Sequence, residues 1–95
     1  MMLFSPPEDV MDNVRGVVNN ALVEFPYEAA FIDVIQTGRK TWIEVYLKGA
    51  DDTQMIDVSH LMELKSRVTS DLQDDFDQLY VEFIPDLPEI GRAYV

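Results

Sequence analysis

The fold of this chain is decided by the stretch Thr37-Gly38-Arg39-Lys40-Thr41-Trp42-Ile43-Glu44-Val45-Tyr46-Leu47. Gly38 opens it as a turn, because glycine adopts a positive φ at little cost. From Trp42 onward, aliphatic side chains alternate with aromatic and acidic ones, which is typical of a strand whose two faces meet different surroundings. The aliphatic face is suited to a core. The other face carries Trp42, Glu44 and Tyr46, and what covers it is the main functional question.

Two amphipathic helices and two further strands surround this stretch. Apolar residues at helical spacing predict a first helix over about 6–24, capped by Ser5 and ended by Pro26. A second helix is predicted to begin at Asp57 or Ser59 and to close near Asp75. The composition of 29–36 and 79–84 favours strands. The strand over 29–36 is apolar on both faces, whereas the residues of 79–84 point alternately to two different faces.

The predicted order of elements is therefore α-β-β-α-β. The first two strands form an antiparallel hairpin, and a helix precedes the third strand, which favours a parallel pairing with one of them. Both helices need to bury an apolar stripe, and one face of the sheet can receive both. The residues of that face are Ile43, Val45, Leu47, Leu79, Val81 and Phe83. We expect an α+β fold, an open two-layer sandwich with a three-stranded mixed sheet, similar to a ferredoxin-like fold that lacks its first strand.

We predict that the chain forms a single domain, with its core at about 6–86 and an irregular tail at 87–95. The sheet face opposite the helices has no predicted cover. Trp42, Tyr46, Tyr80 and Ile84 lie on it in this arrangement. Aromatic side chains are enriched where proteins touch, so we predict that these four contact a partner or a second copy of the chain. Their simple exposure on a small sheet is the alternative.

The charge of the chain restricts its partners. Its 95 residues include 18 acidic and 7 basic ones, for a formal charge of −11. This charge argues against nucleic acid, whose affinity comes from Lys and Arg neutralising phosphates, and favours a cationic ligand or a basic partner. Acidity that merely keeps a small protein soluble is the alternative. No apolar run approaches the roughly 20 residues of a membrane span, so we do not expect this chain to enter a membrane itself.

Catalysis and zinc binding have little support in the residues. The chain has no cysteine and a single histidine, His60, whereas zinc sites need several Cys or His ligands and Ser/His/Asp catalysis needs a defined constellation. We therefore expect a protein that is not an enzyme. The many carboxylates suit hard ions such as Mg²⁺, Ca²⁺ or Mn²⁺, but none has the spacing of a Ca²⁺ loop. The residues therefore predict either a weak divalent-cation site formed by carboxylates or no metal site.

The element order has a further implication. A strand that ends at Thr37-Gly38, a strand over 42–47, a helix opened by Ile56-Asp57-Val58 and a last strand over 79–83 together resemble the cytoplasmic C-terminal domain of cation diffusion facilitator transporters. The similarity covers about 7–86. It implies a regulatory domain that forms a homodimer on the cytoplasmic side of the cell membrane, attached to a membrane domain that exchanges a divalent metal cation for protons. A free-standing acidic protein-interaction module with no transporter attached is the alternative.

The resemblance also implies metal ligands that this chain mostly lacks. Many members of the family have histidines where Ala30, Tyr46 and Phe83 stand here. His60 and Asp86 lie nearest to ligand positions of the family. The resemblance therefore implies at most a weak divalent-cation site, for Zn²⁺, Mn²⁺ or a similar ion, at His60 and Asp86.

Overall fold

The computed structural model describes residues 7–51 and 55–86, and it confirms the order α-β-β-α-β. The elements are α1 (Glu8–Leu22), β1 (Tyr27–Thr37), β2 (Lys40–Gly49), α2 (Val58–Leu72) and β3 (Gln78–Pro85). The strands form one sheet in the order β1-β2-β3, so β2 is central. It pairs antiparallel with β1 and parallel with β3, which confirms the predicted mixed sheet.

The ends of both helices differ from the prediction. The first helix is shorter than 6–24, and Pro7 takes its N-cap position without a side-chain hydrogen bond; the Ser5 cap and the tail at 87–95 lie outside the described residues. The second helix ends at Leu72 because the chain tightens there into a 3₁₀ turn, Gln73–Asp75. Of its two candidate caps, Asp57 is the one used, and its carboxylate accepts a hydrogen bond from the Ser59 N–H at 2.8 Å.

The hairpin between β1 and β2 turns on two residues, Gly38 and Arg39. Thr37 pairs with Lys40, and Gly38 has a φ of 59°. A positive φ at the first of two turn residues is the type II′ arrangement, whose twist matches that of the flanking strands. This turn fixes which residues of β1 and β2 lie opposite each other.

A β-bulge at Ala30 reverses the alternation of β1 near its start. The pairing shifts there: Phe31 lies opposite Tyr46, whereas Ala29 lies opposite the fully buried Leu47. One extra residue moves all later side chains to the other face. As a result Tyr27 faces the core and is only 5% exposed, although Phe31 faces away from it.

The core lies between the sheet and the helices, which both pack on one face as predicted. The inward side chains of β2, Ile43, Val45 and Leu47, have no exposed surface. The helices meet them with side chains that are also fully buried: Val14, Val18, Ala21, Leu64, Val68 and Leu72. This packing leaves the opposite face of the sheet as the surface to be explained.

Replacing Leu64 by alanine should lower the free energy of unfolding by about 2–5 kcal/mol, because it removes a fully buried side chain and leaves a cavity. Urea unfolding followed by circular dichroism measures the change. Met62→Ala on the same helix is the matched control, since Met62 is 68% exposed, and it should shift the value by no more than about 0.5 kcal/mol. Equal effects of the two substitutions would contradict the assignment of the core.

Candidate functional site

The outer face is the side of the sheet opposite the two helices. Among the described residues, its largest exposed side chains are Phe31 and Tyr80, which are 58% and 44% exposed. Trp42, Tyr46 and Ile84 are partly exposed on the same face. The predicted position of the four contact residues is thereby confirmed, and their role in contact stays a prediction.

The strand pairing arranges the outer face in three rows that cross the sheet. Residues directly opposite each other on neighbouring strands point to the same side. The rows are the Trp42 row (Ile35, Trp42, Tyr80), the acid row (Asp33, Glu44, Glu82) and the Tyr46 row (Phe31, Tyr46, Ile84). Three carboxylates therefore lie side by side between two apolar rows.

Each of the two apolar rows contains a pair of aromatic rings in contact. The rings of Trp42 and Tyr80 stack with their centroids 5.4 Å apart and their planes 20° from parallel. Phe31 and Tyr46 meet at 5.9 Å with planes 49° apart. Aromatic pairs of this kind add favourable contacts between neighbouring side chains, so each apolar row contains one pair of packed rings.

The acid row is electrostatically unfavourable in the isolated domain. Glu44 lies directly between Asp33 and Glu82, and like charges directly opposite each other destabilise a sheet. Lys65 reaches Glu82, with 3.1 Å between Nζ and Oε1. Asp33 and Glu44 have no ion pair or side-chain hydrogen bond within the described residues.

His60 takes part in a hydrogen-bond network that joins the start of α2 to the start of β1. The Tyr27 hydroxyl accepts a hydrogen bond from the Asp57 N–H at 3.1 Å and lies 2.7 Å from Nδ1 of His60. Because the oxygen already accepts from that N–H, the phenol proton is available to donate to Nδ1. In the neutral ring Nε2 then carries the proton and acts as a donor. Hydrogen bonds from Ser59 lower the pKa of the Asp57 carboxyl, which keeps the cap ionised.

The predicted metal residues lie on different elements: His60 is in the first turn of α2, and Asp86 directly follows β3. The backbone N–H of Asp86 donates to the Leu47 carbonyl at 2.6 Å, which extends the pairing of β3 with β2. Over residues 7–51 and 55–86, no group of three or more His, Asp or Glu side chains is arranged to hold a metal ion. Metal binding by His60 and Asp86 stays a prediction.

Sequence reasoning missed two members of the apolar rows, Ile35 and Phe31, because a strand that is apolar on both faces does not reveal its orientation. A usable signal existed in the turn. If Gly38 and Arg39 alone form the hairpin loop, Ile35 must lie opposite Trp42.

Comparisons with family models, with curated proteins and with solved structures gave no significant match. In the described part of the chain, neither helix has the length and apolar character needed to cross a membrane. The role of the outer face must therefore be inferred from its own residues.

Replacing Tyr27 by phenylalanine should destabilise the fold by about 1–3 kcal/mol, because the part-buried Asp57 N–H loses its acceptor. Thermal or urea unfolding measures the loss. Tyr46→Phe is the matched control, since the Tyr46 hydroxyl has no hydrogen-bond partner among the described residues. A Tyr27→Phe protein as stable as Tyr46→Phe would show that the network contributes nothing.

Replacing Glu44 by glutamine should stabilise the isolated domain by about 0.2–1 kcal/mol, because it removes the central charge of the acid row. Thermal unfolding at low salt should show a rise in Tm of about 1–8 °C, and salt should diminish the difference. Glu63→Gln, at an exposed position on α2, removes the same charge elsewhere and should change Tm less. A lower Tm for Glu44→Gln would contradict repulsion within the row.

Proposed function

We propose that this chain is a non-enzymatic interaction domain that contacts a protein partner through its outer face. One observation carries the proposal: two apolar rows with paired aromatic rings stay accessible to solvent on a sheet whose other face packs against both helices. Exposed apolar surface next to polar residues is typical of interaction sites. Trp42, Tyr46, Tyr80 and Ile84 are the proposed contact residues.

The biological role that we propose is the cytosolic dimerisation and regulatory domain of a divalent metal cation efflux transporter. The α-β-β-α-β order, with its mixed sheet and its two helices on one face, supports this role through its resemblance to cation diffusion facilitator domains. The domain then works at the cytoplasmic side of the cell membrane beside the transporter's membrane domain.

The coding sequence upstream of Met1 distinguishes this role from that of a free-standing acidic interaction module. Six encoded membrane spans in the same reading frame support the transporter domain. A separate start codon preceded by a stop codon supports the free-standing module, and the interaction function of the outer face holds in either case.

The resemblance implies a homodimer, so multi-angle light scattering at micromolar concentration should give the mass of two chains. Adding Zn²⁺ or Mn²⁺ tests whether a divalent cation tightens the dimer. A monomer under all of these conditions would refute the dimer without bearing on contact with a different partner.

Titration calorimetry with Zn²⁺ should detect no site tighter than micromolar, because the chain has one histidine and Tyr27 occupies its Nδ1. His60→Ala is the control: heat that is unchanged by this substitution does not come from His60. A nanomolar site that His60→Ala removes would contradict this prediction and place His60 among the metal ligands.

A further inference from the structure

We propose that the outer face binds a basic amphipathic helix of a partner protein, with a Lys or Arg of that helix on the acid row and its apolar side chains on the Trp42 and Tyr46 rows. The proposal rests on the proposed interaction function of this face and names the chemistry of the partner. It does not depend on attachment to a transporter.

The dimensions of the face fit a single helix. Neighbouring strands lie about 4.7–4.9 Å apart, so the three strands are about 10 Å wide, close to the diameter of about 10–12 Å of a helix with its side chains. Successive rows are two residues apart along each strand, or about 6.6–6.8 Å. Positions i and i+4 of a helix are about 6 Å apart along its axis. An apolar, basic, apolar sequence at i, i+4 and i+8 therefore matches the three rows.

The charge of the face selects a basic partner. Asp33 and Glu44 have no ion-pair partner in the described residues, and Glu44 is held between two other carboxylates. A cation placed between them relieves their mutual repulsion. Lys65 already pairs with Glu82 at one end of the row, with 3.1 Å between Nζ and Oε1, and leaves Asp33 and Glu44 for a cation from the partner.

A second copy of the chain is a poorer occupant of this face, so the proposed homodimer would form through a different surface. It carries the same acid row and the same formal charge of −11, so stacking row on row opposes carboxylates to carboxylates. A basic helix reverses the sign of that interaction. Its Lys or Arg would also lie near the rings of Trp42 and Tyr46, and cations are attracted to aromatic faces.

Trp42 reports directly on this site, because it is the only tryptophan of the chain and lies on the outer face. The probe is a synthetic Leu/Lys helix of about 16 residues, long enough to cover about 24 Å of the face. Two matched peptides serve as controls: a Leu/Glu helix with the same leucine positions and an Ala/Lys helix with the same lysine positions. We expect the Leu/Lys helix alone to give a saturable blue shift of Trp42 emission that weakens with added salt.

A pair of double variants separates the acid row from the overall charge. Asp33→Asn/Glu44→Gln removes two charges from the row, whereas Glu63→Gln/Asp74→Asn removes two charges at exposed positions on and just after α2. We expect the first variant to bind the Leu/Lys helix roughly 3- to 30-fold more weakly, as two lost ion pairs imply. The second should bind within about twofold of the native chain. Circular dichroism confirms that both variants are folded.

Several outcomes overturn the proposal. Equal responses to the three peptides, or equal weakening by the two double variants, mean that the acid row selects nothing. Trp42 emission that is already blue-shifted in a monomer and insensitive to peptide means that the face is covered within the chain. A blue shift that grows with protein concentration, together with a dimer in light scattering, makes a second copy the occupant; this result overturns the basic helix but supports the interaction function. A monomer whose Trp42 emission is red-shifted and does not respond to any peptide contradicts both the basic-helix proposal and the interaction function of the outer face.

Discussion

The burial of Ile43, Val45 and Leu47 beneath the two helices fixes how β2 is oriented, and the neighbouring strands follow it. All three side chains are fully buried, and β2 is hydrogen-bonded on both sides. Because successive residues of a strand point to opposite faces, a shift of one residue would expose the core and bury Glu44. The outer face is therefore determined by the same register that makes the core.

The two faces of β2 make opposite contributions to stability. The inner face adds apolar burial, which drives folding. The outer face places Glu44 between two like charges and leaves aromatic surface in water. Proteins break local rules of this kind chiefly at functional sites, and the acid row that lowers the stability of the isolated domain is also the basis of the proposed preference for a basic partner.

Features that depend on neighbouring residues in the sequence were predicted, whereas features that depend on contacts between distant residues were not. Alternation in 42–47 and 79–84 sorted Trp42, Tyr46, Tyr80 and Ile84 onto the outer face, and helical spacing located both helices. The bulge at Ala30 could not be predicted, since no periodic pattern in the residues of β1 marks the shift in pairing. The network of Tyr27, Asp57 and His60 was missed for the same reason: it joins residues about 30 positions apart, which periodicity does not relate.

The bulge at Ala30 affects how readily a strand of another chain can pair with the edge strand β1. β1 is an edge strand of 11 residues, and a long edge offers backbone groups to which another chain can add a strand. The bulge interrupts the regular spacing of those groups, and the half-buried Asp33 adds charge along the same edge. The addition of a strand from another chain is thereby discouraged along the β1 edge, where a long regular strand would otherwise favour edge-to-edge aggregation.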